Sequence, residues 1–139
     1  METCTDTQLG VTFRCAADWD IHNVEDAVII VISSENPVIT LTISRFDSKI
    51  RYLEQVTSRM LRERHLYEDG FKMEHVTFAG MPALKVKAFA KGIPNRRMVD
   101  YFFLRKGELY GVLFTVQPRS TWEKEQYLLK AVIDSFRFF

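Results

Sequence analysis

Arg97-Met98-Val99-Asp100-Tyr101-Phe102-Phe103-Leu104-Arg105, then Lys106-Gly107, then Glu108-Leu109-Tyr110-Gly111-Val112-Leu113-Phe114-Thr115-Val116, is the stretch whose reading decides the fold. Residues 97–105 and 109–116 predict two strands joined at Lys106-Gly107, where the glycine supplies the backbone freedom of a tight turn. Both strands are apolar on both sides. Val99, Tyr101 and Phe103 oppose Phe102 and Leu104; Tyr110, Val112 and Phe114 oppose Leu109 and Leu113. Strands of that kind sit centrally in a sheet and need cover above and below.

Working outward, residues 71–78 and 82–91 flank the turn Ala79-Gly80 and extend the meander, with Gly92-Ile93-Pro94-Asn95 as the loop into residue 97. Towards the N-terminus, Val38 to Phe46 alternates, with Ile39, Leu41 and Ile43 on one face and Thr40, Thr42 and Ser44 on the other. That is a half-exposed strand. Ala27 to Ser33 is apolar and β-branched, ended by Ser34-Glu35-Asn36-Pro37, and Val11 to Arg14 reads as a short edge strand.

Two helices complete the pattern. Ile50, Leu53, Val56, Met60 and Leu61 recur at helical spacing after a cap at Asp47 or Ser48, predicting a helix that fades near Tyr67. The second begins at Ser120-x-x-Glu123, read as a capping box, and carries Trp122, Leu128, Leu129, Val132 and Phe136 as its stripe. No repeat, low-complexity tract or linker divides residues 1–139, so the expectation is one α+β domain: a single antiparallel sheet of six or seven strands flanked by two main helices.

A helix shields about two strands, being roughly 10 Å wide against a strand spacing of about 4.8 Å. Two helices therefore leave part of an apolar sheet face open for a partner. Phe102, Leu104, Leu109 and Leu113, with Lys85 and Lys87 nearby, are the candidate partner-binding residues, and a homodimer through that face is the expected association.

Composition narrows the classes. The chain is 47% hydrophobic and 27% charged, as ordinary globular domains are. No apolar run approaches the ~20 residues of a membrane-spanning helix, so stable membrane insertion is not expected. The start Met1-Glu2-Thr3-Cys4 lacks the basic and apolar regions of a signal peptide, and a cytoplasmic location is the expectation. Cys4 and Cys15 form no CxxC motif; they read as free thiols in a reducing compartment, or as a disulfide if the chain is exported. Seven acids and one base fall in residues 1–36, and seven bases and one acid in residues 81–107. Mutual neutralisation within the fold is the preferred reading of that asymmetry, with partner steering the alternative.

No catalytic, cofactor-binding or metal-ligating residue is assigned. His22, His65 and His75 are far apart in sequence and lack ligand spacing, Asp18 and Asp20 read as turn formers, and P-loop, GxGxxG and GxSxG motifs are missing. Lys85, Lys87 and Lys91 interleave with Phe89, followed by Arg96 and Arg97. Such a pattern can bind single-stranded nucleic acid, but the net charge of +1 favours a solvated basic edge instead.

Together Gly10-Val11-Thr12-Phe13 with Asp18-Trp19, Thr40-Leu41-Thr42-Ile43-Ser44-Arg45, Tyr52 to Arg62, Gly80-Met81-Pro82-Ala83-Leu84, Tyr110 to Thr115 and Ser135-Phe136-Arg137-Phe138 resemble the PsbP-like superfamily. That superfamily includes PsbP subunits, Mog-type Ran-binding factors and bacterial Eag-type chaperones of type VI secretion effectors. Relatives usually carry a proline before the tryptophan turn, where this chain has Cys15-Ala16-Ala17. The resemblance implies an antiparallel sheet flanked by helices and a non-catalytic binding role. Gly80 to Leu84 and the lack of a leader point within it to the bacterial adaptor or chaperone branch, whose partner could be a secreted effector. An exported or lumenal accessory domain docking on a membrane complex is the alternative, and a small enzyme is the outlying one.

Overall fold

The computed structural model describes residues 1–139. In chain order the elements are β1 (Glu2–Asp6), β2 (Val11–Cys15), β3 (Asp20–Val24), β4 (Ala27–Ser33), β5 (Val38–Phe46), α1 (Ser58–Glu63), β6 (Lys72–Phe78), β7 (Met81–Phe89), β8 (Arg97–Arg105), β9 (Glu108–Gln117), α2 (Trp122–Asp134) and β10 (Arg137–Phe138). Seven strands form one antiparallel sheet in the order β3-β4-β5-β9-β8-β7-β6. The doubly apolar strands β8 and β9 lie inside it, paired from Arg97↔Val116 to Arg105↔Glu108.

The expectation of a single sheet is corrected. A second sheet of three strands, in the order β1-β2-β10, packs over one face of the large one. Val11 to Cys15 is its central strand rather than an edge, because Val11, Phe13 and Cys15 all point into the core while the chain's two ends pair on either side. The small sheet is pinned at one side to β3 and β5, where Asn23 donates to the Asp6 carboxylate and Arg45 donates to the Gln8 carbonyl at 3.1 Å, and at β10 to β8 and β9, where Phe138 packs on Phe103 and Tyr110. On the same face α2 buries Leu129 and Val132, and Phe136 just beyond it is fully enclosed between Phe13 and Phe78, both at 5.5 Å. The Ser120–Glu123 capping box does not form. A 3-10 turn at Arg119–Thr121 leads into α2, and the Thr121 hydroxyl donates to the Pro118 carbonyl at 3.0 Å.

The other face is covered by residues 46–71, and here the long helix is corrected too. Only a 3-10 turn, Leu53–Gln55, and the six-residue α1 are regular. The Gln55 side chain accepts from the Arg51 and Tyr52 amides, and Thr57 caps α1 by accepting from Met60 N at 3.2 Å. Side chain–backbone bonds of this kind compete with helix continuation. A straight helix over residues 50–67 would run about 27 Å and bury one narrow stripe. The broken path instead lays Ile50, Val56, Leu61 and Tyr67 across β7 to β9, over Leu84, Val86, Met98, Phe102 and Leu109.

Cys4 and Cys15 are joined in a disulfide, which corrects the free-thiol reading. They are diagonal neighbours across the β1–β2 ladder, where Cys4 faces Phe13 and Glu2 faces Cys15, with Cα atoms 6.0 Å apart. The charge asymmetry is not neutralised internally. The acidic segment ends in β3 and β4 at one edge of the large sheet, while the basic one starts at β7 near the other, about 19 Å away over four strand spacings. No ion pair joins the two segments.

Candidate functional site

The six residues singled out in the sequence do not form one surface. Phe102 and Leu109 are buried beneath residues 46–71, and Leu104 and Leu113 pack half-buried against the same cluster. Lys85 and Lys87 lie on the opposite face, where Lys85 opposes Tyr101 and Lys87 opposes Val99. The open apolar strip is therefore not where helix counting put it. Irregular chain covers an apolar face as well as a helix does, and residues 46–71 do so here.

The open strip is on the α2 face. The small sheet lies over β3 to β5 and, through Phe138 against Phe103 and Tyr110, over part of β9 and β8; with α2 beside it, the β6–β7 end is left uncovered. A groove of about 550 Å³ lies there. Val76, Phe78, Lys85 and Tyr101 make its floor; Trp122, Tyr127, Lys130 and Ile133 of α2 make its wall. Phe78 packs on Tyr101 at 5.0 Å, and Tyr127 is 75% exposed at the lip. Burial, with Glu74 and Asp134 nearby, pushes the Tyr101 hydroxyl up to about 12, so it is a neutral hydrogen-bonding group at ordinary pH. The groove's charges are paired: Glu74 sits 3.4 Å from Lys87 and 3.9 Å from Lys85, and Lys130 sits 3.0 Å from Asp134.

At the Trp122 end the character changes. The Arg97 guanidinium lies over Phe89 at 5.2 Å and over Trp122 at 5.3 Å, and Arg119 covers Phe89 at 4.9 Å. This is a ladder of two cations and two aromatics. Loss of hydration lowers the Arg97 pKa, and the Nε atoms of Arg96 and Arg97 are buried without a hydrogen-bond partner. No carboxylate pairs with Lys91, Arg96, Arg97 or Arg119. A smaller pocket of about 240 Å³, lined among others by Lys72, Lys87, Phe89 and Arg97, lies at the start of β6. The sequence signal for this end was the Lys85–Arg97 run; the contribution of Arg119 and Trp122 came only with the fold.

A second cluster was missed. Asp100 is buried in β8 on the face under residues 46–71. The Tyr67 hydroxyl donates to its Oδ2 at 2.6 Å, and Arg64 approaches to 4.0 Å while stacked over Phe46 and Phe102 at 5.3 and 5.4 Å. Burial drives the Asp100 carboxyl up to about 7, against the opposing pull of Tyr67, Arg64 and the Tyr101 amide. Burial and the adjacent carboxylate also raise Tyr67 far above its ordinary range. Through Tyr67 and Arg64 this carboxyl fastens the 46–71 cover to the sheet. The signal was visible as a lone acid inside an apolar strand.

The histidines do not gather: His22 meets Asp20 at 2.9 Å on the exposed edge strand β3, and His65 and His75 are exposed elsewhere. No helix is long and apolar enough to cross a membrane.

The fold is PsbP-like. The solution structure of cyanobacterial PsbP (CyanoP) from Synechocystis sp. PCC 6803 superposes with a TM-score of 0.69, covering 99% of this chain and 92% of that one at 15% identity. No protein-family model and no curated protein matches the sequence. At this identity the likeness establishes architecture, and function has to be argued from the surface.

Proposed function

We propose that this chain is a non-catalytic binding module that receives a segment of a partner protein in the groove between α2 and β6. The carrying observation is the aromatic lip and wall of that groove, with Tyr127 75% exposed beside Trp122 over the apolar floor. Tyrosine and tryptophan give large contact areas for little lost side-chain freedom, which is why they anchor protein interfaces. The resemblance to a superfamily of accessory and adaptor proteins supports the same reading.

Within that class, the Cys4–Cys15 disulfide favours an exported or lumenal accessory domain over a cytoplasmic adaptor, because reducing compartments keep such thiols free.

A photoreactive phenylalanine analogue placed at Tyr127 and expressed in the source cell tests the binding role. Crosslinks to one defined protein are expected there, and none from the same analogue at Glu54, exposed on the opposite cover. Equal labelling from both positions, or none from Tyr127, would reject the groove. Thiol alkylation of the native protein before and after reduction tests the compartment: two new alkylation sites should appear only after reduction.

A further inference from the structure

We infer that the groove takes an extended partner segment that adds as a strand to β6 and ends in carboxylates held by Arg97 and Arg119. This deepens the binding-module reading and rests on it.

Three observations converge. First, β6 is the last strand of the large sheet, and nothing in the chain pairs with its outer side. An edge of seven residues offers unpaired backbone groups along the groove's flank, the geometry that extended peptides use when they extend a sheet. Second, β6 residues alternate between faces, with Glu74, Val76 and Phe78 on the α2 side. Alternate side chains of an added strand would then overhang the same side, towards Tyr127 and Ile133. Third, past the Lys72 end of β6 the smaller pocket, lined by both Lys72 and Arg97, lets the end of the segment turn in over β6 and β7 to cations without anions. Arg97 and Arg119 lack carboxylate partners, and their stacking on Phe89 and Trp122 orients the guanidinium planes. A preoriented fork loses little freedom on accepting a carboxylate in a two-bond grip.

The same geometry selects against a nucleic acid strand. Glu68, Asp69, Glu74 and Asp134 stand along the track beside Lys72, Lys85, Lys87 and Lys130, so short of the arginines it carries no net positive charge. A phosphodiester chain carries a charge past every one of these acids. A peptide can pass neutral side chains over the acids and present charge only at the arginines.

The test uses the whole chain and a fluorescein-labelled ten-residue peptide. It has valine or tyrosine at alternate positions, threonine between them and two aspartates at one end, made in both chain directions. Controls replace the aspartates by lysines, or N-methylate alternate backbone amides. We expect one direction to bind, with new hydrogen-exchange protection at the outer amides of residues 72–78. Affinity should fall at least tenfold for the lysine peptide, for the N-methylated peptide and for Arg119→Glu. Arg119 is exposed, so that variant keeps the fold; Arg97→Glu serves as a second variant where its melting curve matches the parent's. Equal binding of aspartate and lysine peptides, or of N-methylated and plain ones, overturns the inference. So does tighter binding of oligothymidylate at the same arginines. Absence of peptide binding while Tyr127 still crosslinks a partner overturns the inference alone, and loss of both removes the binding-module reading with it.

Discussion

Gly111 lies in β9 on the face beneath residues 46–71, and a Cβ there would stand 2.7 Å from the Phe46 ring. That vacancy admits Phe46, on which Arg64 stacks, and Arg64 in turn reaches Asp100. One missing side chain thus seats a whole fastening. Gly111→Val should cost about 1–3 kcal/mol through overpacking, read from denaturant melts; an unchanged midpoint would show that Phe46 has somewhere else to go. Asp100 makes a second residue-scale prediction. Its carboxyl is raised to about 7 in the fold, against roughly 4 in an unfolded chain. The folded state therefore holds the proton more tightly over that interval. Asp100 contributes stability that is fully present below pH 4 and lost as pH climbs through 7. Asp100→Asn keeps an acceptor for Tyr67 but cannot ionise. Relative to the parent it should gain about 2–4 kcal/mol between pH 4 and pH 8. Parallel stability curves for the two proteins would show that Asp100 does not titrate in this range.

At the scale of elements, the strands with strong patterns are where the sequence places them. Residues 27–33, 38–46 and 97–105 are strands with the expected limits, because alternation or a two-sided apolar run leaves one extended reading. Elements that exist only through pairing were invisible. Glu2–Asp6, Asp20–Val24 and Arg137–Phe138 carry little pattern of their own and become strands because β2 or β4 lies alongside. The helix expected after Asp47 failed for a related reason: its spacing fits a helix, but the surface it must cover is wider than a helix stripe. The disulfide closes β1 onto β2 across a separation of 11 residues. Replacing both cysteines by serine should cost about 2–3 kcal/mol and lower the melting temperature as much as reduction does. Phe136, in the turn between α2 and β10, is fully buried among Phe13, Phe78 and Phe138. Phe136→Ala should cost about 3–5 kcal/mol, and a loss below 1 kcal/mol in urea melts would contradict its place in the core.

Over the whole molecule the formal charge is +1, yet the acids of residues 1–36 and the bases of residues 81–107 lie towards opposite edges of the large sheet. A surface so divided acts by its poles rather than its sum. At pH 7 the protein should be retained on a cation-exchange matrix more firmly than its net charge indicates. Retention should fall with Lys91→Glu plus Arg119→Glu and change far less with Lys49→Glu plus Arg62→Glu, which alter the net charge equally on the opposite cover, away from the ladder. Similar losses for both pairs would mean that the basic end is no special feature. The face once expected to join two copies is already covered by residues 46–71, so it offers no open apolar strip for a dimer.

The sequence by itself determined the class of fold. Two-sided apolar strands demand a covered sheet, alternation assigns faces, and glycine turns join neighbours; all are local consequences of a period-two backbone. Only the tertiary structure decided where cover is missing. That depends on how far apart α2, the small sheet and β6 come to rest, and on whether irregular chain can fill a gap. Arg97, Phe89, Arg119 and Trp122 meet for the same reason: they come from three segments, and their approach is fixed by sheet order and the entry of α2 rather than by any spacing along the chain.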